Sequence, residues 1–328
     1  MKNKLLLTSA LVGSVAFAGA TFAETKVGGN IETTYNATSE NGQDSTRGLG
    51  SETNISLSTS QDLDNGLTAK AGFVLENGNS DTEYLVVGND TFNFAVANDY
   101  GNNLSSTVLP HISDQAGTIV QRDETATYDN MPVANAHNAH HVALNVNGAG
   151  GTFTARYTPS LADTRNGAST VTADGNSATE IMYTGSLGVD GLSVVVGQSE
   201  ETAATDNGTE EGKYKKYGIA YNFGQFAVGI EKQESEDAAA TADQIELDSD
   251  KASVTFAASD KLSLGLVYVE TEKKDGGTKA ANDEEIIMAQ VGYNFGGLGI
   301  ELSYADIDNV GNATGDSEAL QIRTITKF

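Results

Sequence analysis

Four histidines, His111, His137, His140 and His141, fall within one interval, Tyr100 to His141. Neutral imidazole is a common metal ligand, and the spacing of the last three would let them approach one ion. No carboxylate or cysteine completes the set nearby, and an Ala/Asn-rich segment is a poor preorganised cage. They are read instead as solvated rings or as rings at the edge of a polar cavity, with His141 opening a strand and facing inward. Carboxylates gather elsewhere: at Glu200, Glu201, Glu210 and Glu211; from Glu234 to Glu246; and at Asp283, Glu284 and Glu285. Such groups offer hard oxygen ligands to Ca²⁺ or Mg²⁺, but a solvated rim that draws in cations is the simpler reading. Weak divalent binding at these loops is the most that is expected, and no cofactor. Catalytic constellations are missing: a Ser/His/acid set has only these histidines to draw on, and no motif surrounds any serine. Gly208 and Gly212-Lys213 stand too close for a phosphate-binding loop, and Tyr214 follows where Ser or Thr is needed. Neither an enzyme nor a nucleotide site is expected.

The formal charge is −26, with no cysteine. The acidic balance argues against nucleic acid as a partner and makes cations the natural small ones. Lys2 and Lys4, the apolar run Leu5 to Phe22 and small residues ending at Ala23 have the layout of a secretory signal peptide. Residues 1–23 are the expected cleaved segment, with Ala20 the second choice of site. A membrane helix is the rival reading, but the run is short and broken by Thr, Ser and Gly. Gly at 36 residues against Pro at 3 fits many tight turns between paired strands.

The elements that would position these groups are short alternating segments. Ile31, Thr33 and Tyr35 oppose Asn30, Glu32 and Thr34; Ile55 and Leu57 oppose Asn54, Ser56 and Ser58; Ala69, Ala71 and Phe73 oppose Thr68, Lys70 and Gly72. One face suits lipid and the other water. Five such segments precede Tyr100 and eleven follow His141, an even total as a closed antiparallel bacterial barrel requires. Few-residue connections near Asn65-Gly66, Asn89-Asp90, Gly148 to Gly151, Gly188 to Gly191, Gly224, Ser259-Asp260 and Gly296-Gly297 alternate with long polar ones, including 36–50. A soluble sandwich or propeller could also supply many short strands. It would not explain why the apolar faces lack an apolar core to meet; lipid is the simplest partner, because a closed barrel satisfies every backbone hydrogen bond. Tyr221, Phe223, Phe226, Tyr293 and Phe295 cluster at short turns, while Tyr35, Tyr157, Tyr183, Tyr268 and Tyr304 are placed toward the long-loop ends, as two aromatic girdles. The interval 100–141 is too long for an ordinary structureless loop, and a hydrophilic barrel gives it somewhere to go: inward.

At the repeated Tyr221-Asn222-Phe223-Gly224 and Tyr293-Asn294-Phe295-Gly296, and at the terminal Leu320, Ile322, Thr324, Thr326, Phe328, the chain resembles the Gram-negative general porins. The alternating last strand closing on Phe328 looks like the signal read by the outer-membrane assembly machinery. The resemblance covers all of 24–328 and implies an all-β fold: a 16-stranded antiparallel transmembrane β-barrel with short periplasmic turns, long extracellular loops and an inward-folded third loop, 100–141, as constriction. It also implies a homotrimer, and acidic loop residues facing a basic cluster on the wall. Carried over, the loop candidates are Asp114, Asp123, Glu124 and Asp129, with Arg122 beside them to pair locally. By strand parity the wall candidates are Lys70, Arg156 and Arg323, with Glu32, Glu231 and Glu301 also inward. A dense arginine ladder, common in the family, is lacking.

The expected function is passive diffusion of small hydrophilic solutes and ions through the outer membrane, with cations preferred. A substrate-specific channel, or a non-conducting adhesin or receptor barrel whose loops act, are the alternatives.

Overall fold

The computed structural model describes residues 24–40, 43–104, 107–112, 139–159, 177–202, 212–236, 245–310 and 314–328. The wall begins with β1 (Glu24–Glu40), β2 (Gln43–Asp62), β3 (Thr68–Glu76), β4 (Asn79–Gly88) and β5 (Phe92–Asn98). After the long loop come β6 (His141–Gly148), β7 (Gly151–Thr158), β8 (Ser177–Gly185), β9 (Leu192–Thr202), β10 (Lys213–Phe223), β11 (Phe226–Glu236), β12 (Ile245–Ala257) and β13 (Leu262–Asp275). A two-residue β14 (Thr278–Lys279) only extends the hairpin of β13, and β15 (Glu284–Asn294), β16 (Leu298–Asp308) and β17 (Ser317–Lys327) complete the wall. Each strand pairs antiparallel with its neighbours in sequence, and β1 pairs with both β2 and β17, so sixteen wall strands close with no free edge. Closure removes the unpaired N–H and C=O groups that lipid could not satisfy.

Alternation decides which side chains face out. Ile31, Leu85, Phe94, Leu144, Ile181, Ile219, Ile230, Leu266 and Ile287 are all exposed. Their sequence neighbours Glu32, Val86, Ala95, Ala143, Met182, Ala220, Glu231, Val267 and Met288 are buried on the inner side. A continuous exposed apolar band of this kind marks a membrane-facing surface. Rings contact one another around the short turns, as in Phe223 on Phe226 at 5.8 Å between centroids and Phe226 on Phe256 at 4.7 Å. Tyr157 and Tyr304, exposed in β7 and β16, lie six residues further along, or about 20 Å of strand.

Three expectations are corrected. The polar stretch 36–50 is not a loop: β1 and β2 stay paired from Tyr35↔Leu49 to Glu40↔Gln43. The connection after β3 is likewise not long. Asn77 and Gly78, with φ of 48° and 85°, make a two-residue turn whose double left-handed conformation suits the strand twist. Above the bilayer both faces of a hairpin meet water, so polar residues continue the ladder without alternation. Tyr183 belongs to the short-turn end, where its hydroxyl donates to the Ala149 carbonyl at 2.8 Å and its ring packs on Phe153. The extended ends of β10 to β13 carry cross-strand pairs on their outer faces, including Lys215 with Glu234 at 3.5 Å and Lys274 with Glu246 at 3.4 Å.

Candidate functional site

The described first part of the long loop, Asp99–Leu104 and 107–112, runs across the inner wall from β4 to β15. Tyr100 stacks on inward Tyr84 of β4, with centroids 4.0 Å apart and planes 18° from parallel. Burial and the neighbouring Tyr84 hydroxyl push the Tyr100 phenol above its ordinary range, so it acts as a neutral aromatic platform. The Asn102 side-chain amide donates to Thr184 Oγ1 at 2.7 Å, and the Asn102 main-chain carbonyl accepts from Arg156 Nη2 at 2.6 Å. Leu104 is buried among Met182, Val195 and Tyr214, and the Tyr214 hydroxyl donates to its carbonyl at 3.2 Å.

Beyond Leu104 one carboxylate does most of the holding. Glu231 Oε2 accepts from Thr107 Oγ1 at 3.1 Å and from the Val108 N–H at 3.2 Å, while its Oε1 faces Lys216 Nζ at 3.2 Å and Gln233 Nε2 at 2.5 Å. Both partners of the Lys216–Glu231 pair are fully buried. Leu109 enters the apolar cluster of Val267, Val269, Met288, Ala305 and Ile307. The Ile112 N–H donates to Gln290 Oε1 at 2.9 Å, and His111 Nδ1 lies 2.8 Å from the Leu109 carbonyl.

The wall residues read from parity all face inward, but with different roles. Arg156 is buried beneath the loop in an ion pair with Glu180, so its charge is spent on the scaffold. Glu231 is likewise committed to Lys216 and the loop. Arg323 lies on the wall closed by β16, β17 and β1, held by Glu32 at 2.6 Å and by Glu301 at 3.1 Å. Lys70 stands opposite Ser60 and Val86, exposed, and among the described residues no ion pair is made by it. In register, Glu32 stands directly opposite Glu52, whose carboxylate accepts from Asn54 Nδ2 at 2.6 Å. Asp114, Arg122, Asp123, Glu124, Asp129 and His137 lie outside the described residues. His140 is exposed and His141 buried with Nδ1 3.0 Å from the Ala139 carbonyl, so these two do not converge. At the chain end, Phe328 exchanges two 3.0 Å backbone bonds with Gly29, Ile322 faces outward, and Leu320 pairs with Ala37 and Tyr304. The terminal strand is thus the closing one.

Glu180, Lys216, Gln290 and Glu52 were not singled out from sequence, though each sits at an inward position of an alternating segment. Parity gives the face; it does not give the partner across the sheet.

Within the described residues no three His, Cys, Asp or Glu side chains gather as metal ligands. A cavity of about 650 Å³ lies at the short-turn side, lined in part by His111, Ile112, Asp260, Lys261, Glu301 and Lys327. The arrangement is a polar tube with a loop fastened across one side, suited to letting solutes pass.

Comparison with known proteins agrees. No curated protein matches the sequence. Among solved structures, outer-membrane expressed OmpT of Vibrio cholerae superposes with a TM-score of 0.65 at 12% identity, covering 95% of this chain and 99% of that one. The anion-selective porin from Comamonas acidovorans gives 0.63 at 16%, covering 94% and 100%. The outer membrane channel DcaP of Acinetobacter baumannii gives 0.67 at 12%, covering 93% and 97%. These identities speak to the fold alone. A family described as Gram-negative porin matches residues 8–312, nearly the whole length over which the barrel and its inner loop have just been traced, and the chain belongs to that family.

Proposed function

We propose that the protein is exported through cleavage of residues 1–23, is assembled into the outer membrane, and forms a water-filled channel there. Small hydrophilic solutes and ions diffuse through it passively, and cations are preferred over anions. The observation that carries the preference is the state of the inward charges: Arg156, Lys216 and Arg323 are each engaged by carboxylates, Arg323 by two of them, and of these four wall cations Lys70 alone stands without one among the described residues. Glu52 faces the same lumen with only an amide on it, leaving the passage an excess of negative charge. The loop fastened from Tyr100 to Ile112 is the narrowing element, and the acidic loop ends raise the local cation concentration at the mouth.

A homotrimer is the proposed assembly. OmpT of Vibrio cholerae is described in a trimer form. In this chain the outer faces of β17, β1 and β2 carry Thr324, Thr33, Ser51 and Thr53 where other strands are apolar, with Thr33 and Thr324 hydroxyls 2.6 Å apart. Hydroxyls at membrane depth are better covered by protein than by lipid tails. Single-channel recording of the protein without residues 1–23 in a planar bilayer, under a KCl gradient, tests the function. Stable ohmic steps and a reversal potential of cation sign are expected; a folded barrel that never conducts, or an anionic sign, would overturn the corresponding part.

A further inference from the structure

We propose that the loop segment Leu104–Ile112 is registered on the inner wall by five inward glycines, Gly197, Gly218, Gly229, Gly265 and Gly292, which are positioning residues of the constriction. This rests on the reading of that loop as the narrowing element.

Glycine inside a strand gives up packing and entropy, so its presence calls for a reason. Backbone conformation supplies none here, because none of the five has a left-handed φ. Space does. A Cβ on Gly197 would lie 2.7 Å from Leu104 Cδ2, though the wall's own Met182 Cβ at 2.6 Å and Ile181 carbonyl at 2.7 Å also exclude it; one on Gly218 would lie 2.6 Å from Val108 Cγ2 and 2.9 Å from Val195 Cγ1 of the wall. On Gly229 it would meet Leu109 Cδ2 and Pro110 Cδ, both at 2.9 Å. Gly265 and Gly292 receive Ile112, at 3.2 Å to Cδ1 and 2.7 Å to Cγ2. At Gly292 that loop atom is the only neighbour within 4 Å, so nothing but the loop forbids a side chain there.

The glycines also follow a path. Gly197 pairs with Lys216, and Gly218 is the next inward position toward the short turn; Gly218 pairs with Glu231, and Gly229 is again the next. Gly229 pairs with Ser253 and Gly265 with Thr255, one inward step beyond; Gly265 pairs with Gln290, and Gly292 is the next. Four such steps over the five strand-to-strand crossings from β9 to β15 carry the series toward the short-turn side relative to the register, so it runs as one oblique track along the inner wall. Glu231 and Gln290, which accept the Val108 and Ile112 N–H groups, stand beside this path. Hydrogen bonds therefore fix the loop along the path, and the missing side chains fix how close it lies to the wall.

The test uses the chain's freedom from cysteine. Leu109→Cys, at a position 2% exposed, reports seating through its rate of reaction with a water-soluble maleimide in the assembled channel. Gly218→Val and Gly292→Val, each in that background, should raise the rate by about tenfold as the seated conformation loses population. Gly48→Val, at a glycine with nothing within 4 Å, should leave it unchanged. Ile112→Ala, which leaves the wall intact, should restore slow labelling when combined with Gly292→Val. Faster labelling with larger single-channel conductance supports the proposal. Faster labelling at unchanged conductance also supports the glycine seat, while removing the loop as the narrowing element. Unchanged labelling in both valine variants, folded as judged by heat-modifiable gel mobility, would overturn it.

Discussion

Arg323 shows how a lumenal charge can be present yet largely cancelled. Its guanidinium is shared between Glu32 and Glu301, and Glu32 faces Glu52 across the β1–β2 ladder. Like charges directly opposite each other destabilise a sheet, so the arginine also holds this part of the wall together. Arg323→Gln should release both carboxylates to the lumen and move the reversal potential further toward cations; movement toward anions would contradict the charge balance proposed above. The Lys216–Glu231 pair is a different case, because both groups are out of water. Glu231→Gln takes the carboxylate away from a buried ammonium, and losing one member of such a pair costs about 3–5 kcal/mol. The urea midpoint of the refolded barrel should fall accordingly, whereas a drop of under about 1 kcal/mol would be what an exposed pair gives.

Strand faces were legible because one chemistry meets each side: Ile219 beside Ala220 and Ile230 beside Glu231 divide as their alternation says. The short turns on one side of the barrel were legible from their Gly, Asn, Asp and Ser residues. What could not be read is the part of each hairpin beyond the membrane, as at Glu40–Gln43 and Asn77-Gly78, where polar residues occupy both faces and alternation carries no information. Nor could the loop's attachments be read, since Thr107 and Glu231 are 124 positions apart and only the closed barrel brings them together. The inward course of the loop's described part, 99–104 and 107–112, is by contrast the one that the interval's length and a polar lumen suggest. Its attachments end, among the described residues, at Ile112. Deleting 113–130 should therefore widen the passage without disturbing either the wall or the anchored segment. A higher conductance with unaltered heat-modifiable mobility is expected, and an assembled deletion variant of unchanged conductance would relieve that segment of the role.

At the scale of the whole molecule the outer surface and the charge field remain. If the hydroxyl-bearing faces of β17, β1 and β2 meet in the oligomer, Ser51→Trp should shift it toward monomers on unheated gels, while Val196→Trp, on the apolar arc at β9, should not. Equal effects from both would remove the distinction. The charge field can be separated from the lumen by salt. The full chain carries −26, and the long-loop ends hold Glu234, Glu246 and Glu272, paired with lysines whose side chains are exposed. Charges at such distances act through water and lose reach as the Debye length falls from about 10 Å at 0.1 M to about 3 Å at 1 M. Carboxylates at the narrowing lie within a few ångströms of any passing ion and are screened far less. A cation preference that fades across this range would place its origin at the rim; one that survives 1 M KCl, and grows in Arg323→Gln, would place it at Glu32, Glu52 and Glu301. The proposed geometry, with Arg156 and Lys216 engaged by carboxylates and Arg323 facing two of them, predicts the second result.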